Sequence, residues 1–152
     1  MNIIAFGFNK ISAEKKKQTF KDLEVATNIA IEDIKEDNVE NLSSNKALRF
    51  EFTFSINYSP DIAIIEVKGF VIGLTEKEEY AAILKNWKTK EVNPGFRIPL
   101  TNFIMNKCNI KAIDLEEQLN IPLHIPFPQI TAELAKKDKD APKEKKPANY
   151  TG

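Results

Sequence analysis

The chain has a single cysteine, Cys108, and a single histidine, His124. One thiol excludes an intramolecular disulfide, and one residue of each type is too few for a zinc site or a choice of nucleophile pairs, so both side chains are expected to be structural. An excess of charge of one sign is also missing. Lys plus Arg equal Asp plus Glu at 22 each, so no net field draws the protein toward nucleic acid or an anionic membrane. Long hydrophobic runs are missing too: the longest, residues 62–74, is interrupted by Glu66 and Lys68 and falls far short of a membrane span. The opening apolar residues have no basic segment before them and no small-residue cleavage site after them, which makes a cytoplasmic location the default expectation. Phosphate loop, dinucleotide fingerprint and nucleophile elbow are all lacking. The acids Glu76, Glu78 and Glu79, and Asp114, Glu116 and Glu117, lie in amphipathic helical context, where they serve the helix dipole and solubility. No catalytic residue, metal or cofactor is expected, and the residues point to a binding or scaffold protein rather than an enzyme.

What the sequence does have is alternation. Residues 48–58 place Leu48, Phe50, Phe52, Phe54, Ile56 and Tyr58 on one parity and Arg49, Glu51, Thr53, Ser55 and Asn57 on the other. Successive side chains of a strand point to opposite faces, so this is a strand with one apolar face. Ser59-Pro60-Asp61 is a turn, because proline presets φ and lacks an N–H, and the apolar run at 62–74 completes a hairpin. Two strands are expected before it. Residues 2–12 carry Ile4, Phe6 and Phe8 on one parity, and residues 22–34 carry Leu23, Val25, Thr27, Ile29 and Ile31. A basic connector at 13–18 and a polar link at 35–46 join them, and neither has the length and periodicity of a crossover helix. Sequential antiparallel pairing is the simplest topology. The run at 62–74 is apolar on both parities, with Ala63, Ile65, Val67 and Val71 against Ile62, Ile64, Phe70 and Ile72. Such a strand is covered on both sides, either by helices or by an oligomer or peptide partner.

Helices are expected only after Thr75. Thr75-Glu76-Lys77-Glu78 has capping-box spacing, and Tyr80, Ile83, Leu84 and Trp87 recur at helical intervals before Asn93-Pro94-Gly95 stops the helix. Pro99 is placed in the first turn of a new helix, with Leu100, Phe103, Ile104 and Cys108 on one stripe and Ile113, Leu115 and Leu119 extending it or starting another. Residues 120–130 contain Pro122, Pro126 and Pro128 among apolar side chains, which holds the backbone extended, as a strap closing the core or as a groove wall. A domain at 1–130 is therefore followed by a charged tail at 131–152 that cannot repay the entropy of ordering. The class is α+β: a four-stranded antiparallel sheet followed by C-terminal helices.

This order of parts resembles the SecB family of protein-export chaperones. Ile64-Ile65-Glu66-Val67-Lys68-Gly69 has the character of that family's last long strand, Phe96-Arg97-Ile98-Pro99-Leu100 corresponds loosely to the start of its main helix, and residues 121–130 fall where its apolar crossing segment lies. The resemblance spans roughly residues 3–130. It implies an ATP-independent holdase that binds unfolded polypeptides, built as a homotetramer, a dimer of dimers. Its client grooves run between sheet and crossing segment, which would put Phe70, Ile72, Leu123, Ile125 and Phe127 near client side chains. Glu66, by its place in the Ile-Ile-Glu-Val run, would match an acidic residue that meets the export motor. The sequence departs from the family in having no acidic N-terminal extension and a Lys-rich tail, so a homologue serving another partner, such as a toxin–antitoxin system, fits equally. The other class of reading is a non-catalytic α+β domain that binds one specific partner or small ligand, with 121–130 as a lid.

Overall fold

A computed structural model of the chain describes residues 1–39, 45–133 and 136. The charged tail expected at 131–152 lies largely outside the described residues, as do positions 40–44 of the polar link. Among the described residues the elements are β1 (Asn2–Lys15), β2 (Glu24–Asp37), β3 (Lys46–Ser59), β4 (Ala63–Thr75), α1 (Lys77–Trp87) and α2 (Pro94–Leu119). Every strand pair is antiparallel. The architecture is the expected α+β one, four antiparallel strands and then helices.

Strand order is β1-β4-β3-β2, a Greek key, and this corrects the sequential pairing expected for the first two strands. β3 carries Leu48, Phe50, Phe52, Phe54, Ile56 and Tyr58, all essentially inaccessible, and burying each such side chain is worth roughly 1.5–3 kcal/mol. The hairpin it forms with β4 therefore takes the centre, and the less apolar β1 and β2 flank it. The chain between them passes the hairpin's turn, where the Lys16 and Lys17 backbone N–H groups both donate to the Ile62 carbonyl at 2.7 and 3.2 Å.

Bulges shift the parity expected for the flanking strands. In β1 the register slips between Ile3 and Ala5, which turns Ile4 out, 42% exposed, and packs Ile3 on the core in its place. The strand also continues through the residues expected as a basic connector, to Lys15. In β2 the slip lies between Ile31 and Asp33. Such insertions re-aim side chains at sheet edges.

Helix α2 covers one face of the sheet with Leu100, Ile104, Cys108 and Ala112, all buried. Phe6 stacks on Phe52 at 5.8 Å between centroids and meets Phe103 edge-on at 5.8 Å, while Phe50 packs on Phe96 at 5.2 Å. Odd-numbered β4 residues Ile65, Val67 and Val71 join this core, whereas Ile64, Phe70, Ile72 and Leu74 on the other parity are half-buried. Among the described residues, the apolar character of both β4 faces thus has helical cover on one side only.

Two helix starts also differ from expectation. Thr75 does not cap α1: its hydroxyl donates to the Lys46 carbonyl, 3.3 Å, and Glu76 holds the cap position with no side-chain bond. Helix α2 begins five residues before Pro99, at Pro94, because Asn93 accepts from the Gly95 N–H at 2.8 Å and proline suits the first helical position. Pro99 then lies inside the helix, where it lacks the N–H that would reach the Gly95 carbonyl.

Candidate functional site

The polar centre of the covered face is built on an unusual member of the α2 stripe. Leu100, Ile104, Cys108, Ala112 and Glu116 follow one another at intervals of four, and Glu116 is as buried as the rest, with 0% of its surface exposed. A buried carboxylate needs donors. His124 supplies two, its backbone N–H at 3.3 and 3.2 Å from the carboxylate oxygens, and its ring Nδ1, which makes a very short contact with Oε1. The Asn109 side-chain oxygen lies 2.9 Å from Nε2, so the amide completes the ring's partners. Tyr58 closes the group: its hydroxyl donates to the Pro122 carbonyl at 2.8 Å. Burial first, and then the charge of Glu116, push its ionisation far above the ordinary phenol range, so it stays a donor. Burial likewise pushes the Cys108 thiol up to about 12, which leaves no thiolate to act as a nucleophile at neutral pH.

This network fixes the start of the extended segment. Asn120 ends α2 in the left-handed region, φ 52°, and the Ile121 N–H returns to the Glu116 carbonyl at 3.0 Å. Ile121 is buried, Pro122 is held by Tyr58, and the His124 ring meets Phe54 edge-on. On both sides of His124 apolar side chains turn outward. Leu123 is 38%, Phe127 54% and Ile130 88% exposed, while Ile125 is half-buried. The segment is therefore a strap at its beginning and an exposed apolar run at its end.

Phe70 and Ile72 lie elsewhere. They share one parity of β4, the one opposite the Val71 side that pairs with Phe50, so they face away from the Tyr58 and Phe54 surface that holds the strap. Leu123, Ile125 and Phe127 are brought together along one segment and Phe70 and Ile72 along one strand. The two sets are not brought together. The Phe70 ring reaches across β1 over Gly7, where a Cβ would come within 2.7 Å of it. The Arg49 guanidinium covers the ring at 3.8 Å, a favourable cation–π geometry. Around it runs an ionic lattice: Arg49 with Glu51 at 3.4 Å and Asp37 at 3.9 Å, and Lys35 with Glu51 at 2.8 Å. Glu66 belongs to a separate group on the same face of the sheet, 3.3 Å from Lys10 and 4.0 Å from Lys68.

Among the described residues no group of three or more His, Cys, Asp and Glu side chains gathers as a metal site, and no helix is long and apolar enough to cross a membrane. The Glu116–His124–Asn109 network is the feature that sequence reasoning missed. Its signal was present, since an acid on a stripe of otherwise apolar side chains at intervals of four must be buried with a partner.

No protein-family model matches the chain, and no curated protein matches it. Among solved structures, a SecB-like chaperone of Mycobacterium tuberculosis, determined in complex with a peptide from an antitoxin, superposes with a TM-score of 0.47. The two are 12% identical over 86% of this chain and 89% of the other.

Proposed function

We propose that this protein is an ATP-independent holdase that binds non-native polypeptide through the exposed part of residues 121–130. One observation carries the reading: the segment is pinned at His124 by a buried carboxylate, yet turns Leu123, Phe127 and Ile130 to solvent. A chain that merely closed its own core would bury those side chains. Held in place and exposed, they offer apolar surface whose burial against a client is worth roughly 25 cal/mol per Å², with little demand on client sequence. Leu123, Ile125 and Phe127 are the client contacts in this reading. Phe70 and Ile72 form a second apolar surface on the opposite sheet face, reached by the same client only if it wraps an edge or if copies assemble, as in a dimer of dimers. Glu66 is the proposed contact for a downstream partner in the cytoplasm, an export motor or a toxin–antitoxin protein.

The test is the double variant Leu123→Ser, Phe127→Ser. Aggregation of an unrelated unfolded protein, without nucleotide, should no longer be suppressed, while thermal unfolding of the variant changes less than the loss of two core side chains would cause, because Leu123 is 38% and Phe127 54% exposed. Suppression unchanged in a stably folded variant would reject the groove. Absence of suppression by the unaltered protein would leave a binder of one specific partner.

A further inference from the structure

The two edges of the sheet are not alike. β1 carries two register shifts, beside Ile4 and Asn9, and Lys10 and Lys15, devices that discourage pairing with another chain. β2 has one shift, beside Glu32, and before it residues 25–31 run as Val-Ala-Thr-Asn-Ile-Ala-Ile with regular register, no charge and no proline. A strand of this kind at the end of the order β1-β4-β3-β2 presents backbone donors and acceptors to whatever extended chain comes alongside.

A cleft of about 550 Å³ lies against that same edge. Its walls include Ile29 and Ile31 from the strand, Trp87 from the end of α1, Val92 and Lys90 from the connection, and Arg97 from the start of α2. Trp87 is held in place where its indole N–H reaches the Asp33 carboxylate at 3.4 Å, and the Lys90 ammonium lies 4.1 Å over its ring. Among the described residues no carboxylate forms an ion pair with Lys90 or Arg97. Among the lining residues Glu32 is the one acid beside these two cations, and the neighbouring Asp33 carboxylate is taken up by the Trp87 indole N–H.

We infer that the free edge of β2, together with this cleft, docks an extended peptide strand that carries an acidic residue beside a bulky apolar one. The edge supplies main-chain hydrogen bonds, the indole and isoleucines receive the apolar side chain, and Arg97 and Lys90 receive the carboxylate. The inference rests on the reading of the protein as a polypeptide binder but uses a surface other than residues 121–130.

Trp87 is the only tryptophan of the chain, so its emission reports on the cleft directly. An array of random decapeptides is probed with the full chain, and the strongest binder is synthesised in plain form and with alternate backbone amides N-methylated. Bound peptides should be enriched in acid next to aromatic or β-branched residues, the plain peptide should shift Trp87 emission, and the methylated one should bind at least tenfold more weakly. The variant Lys90→Glu, Arg97→Glu should lose the acidic peptides by tenfold or more and turn to basic ones. Should that variant unfold, Lys90→Gln, Arg97→Gln should still lose the preference for acid. An array without binders, a charge preference unmoved by these variants, unchanged emission, or indifference to N-methylation would each overturn the inference. So would light scattering in which the unaltered protein self-associates and Asn28→Pro abolishes it, which would give the edge to a second copy. The Leu123→Ser, Phe127→Ser variant separates the two readings. If it keeps array binding the edge is a distinct site, and if it loses it the edge inference falls while the holdase stands. Array binding without suppression of aggregation sinks the holdase and leaves the edge.

Discussion

The two faces of the sheet solve the same problem, how to keep charge next to apolar side chains, in opposite ways. On the helix-covered face a single carboxylate, Glu116, lies among fully buried side chains and is met by His124, whose ring is met in turn by Asn109. On the open face Arg49, Glu51, Lys35 and Asp37 form a partly solvated lattice beside the Phe70 ring, with Glu66 and Lys10 as a separate pair. Water can replace any partner in the lattice. It cannot reach the buried pair. The covered face is therefore specific and brittle, the open face adaptable, and the extended segment owes its fixed start to the first kind of interaction.

The largest difference should come from removing one carboxylate partner on each face. His124→Ala takes the ring from Glu116 and leaves a buried acid with the backbone N–H alone. Breaking a buried pair from one side costs about 3 to 5 kcal/mol. Arg49→Ala on the open face loses ion pairs that water still reaches, worth about 1 kcal/mol. Urea unfolding of both variants measures the contrast, and the double variant Glu116→Leu, His124→Leu should recover most of the loss, since it removes the charge along with its partner. A His124→Ala variant no less stable than Arg49→Ala would show that the network is dispensable.

Glycines sharpen the comparison at a smaller scale. A Cβ on Gly69, on the covered face, would stand 2.3 Å from the Gly7 carbonyl oxygen and 2.8 Å from the Phe52 ring. Backbone cannot step aside without breaking the β1–β4 ladder, so Gly69→Ala should cost about 1 to 3 kcal/mol, the usual range for overpacking. A Cβ on Gly7, on the open face, meets only the far edge of the Phe70 ring at 2.7 Å, and that ring can swing toward solvent. Gly7→Ala should cost clearly less in the same unfolding experiment. Equal losses would mean that Phe70 is packed as tightly as Phe52, and that the open face is a second core.

Much of this was legible in the residues. The alternation over 48–58 foretold β3 and its buried row, because a period-two pattern with one wholly apolar parity has no other economical fold. Helices after Thr75 and the extended prolines were equally plain. The order of strands was not, since which edge β1 occupies depends on a competition for the centre that no local pattern reports. Bulges beside Ile4 and Glu32 broke the parity reading, and Pro99 drew the start of α2 away from the stronger signal of Asn93-Pro94. Of the candidate site, the extended course of residues 120–130 was readable from their prolines but not whether Leu123 and Phe127 would be buried or exposed, and the separation of Phe70 and Ile72 from them follows from β4 parity together with the path of the chain after α2. The cleft at Trp87 joins β2 to residues 87–101, far from it in sequence, and left no local trace.

The smallest effect tests whether the lattice on the open face holds anything at all. A hydrogen bond from Lys35 is the main cause that keeps the Glu51 carboxyl below the ordinary carboxylate range, with Arg49 adding to it. A group with a lowered folded value binds its proton less readily in the folded than in the unfolded chain. Its stabilisation is therefore fully present above the unfolded value near 4.3, and is lost as pH falls through the folded value. The Glu51 side chain is 34% exposed, so solvent screening limits the effect to a few tenths of a kcal/mol. Unfolding free energies of the unaltered protein and Glu51→Gln, measured from neutral pH downward, should run parallel to about pH 5 and then converge as the unaltered protein protonates. Salt at 1 M should shrink the gap. Curves that stay parallel to pH 2 would mean that the lattice is ornamental, and that Arg49 matters only as a lid on Phe70.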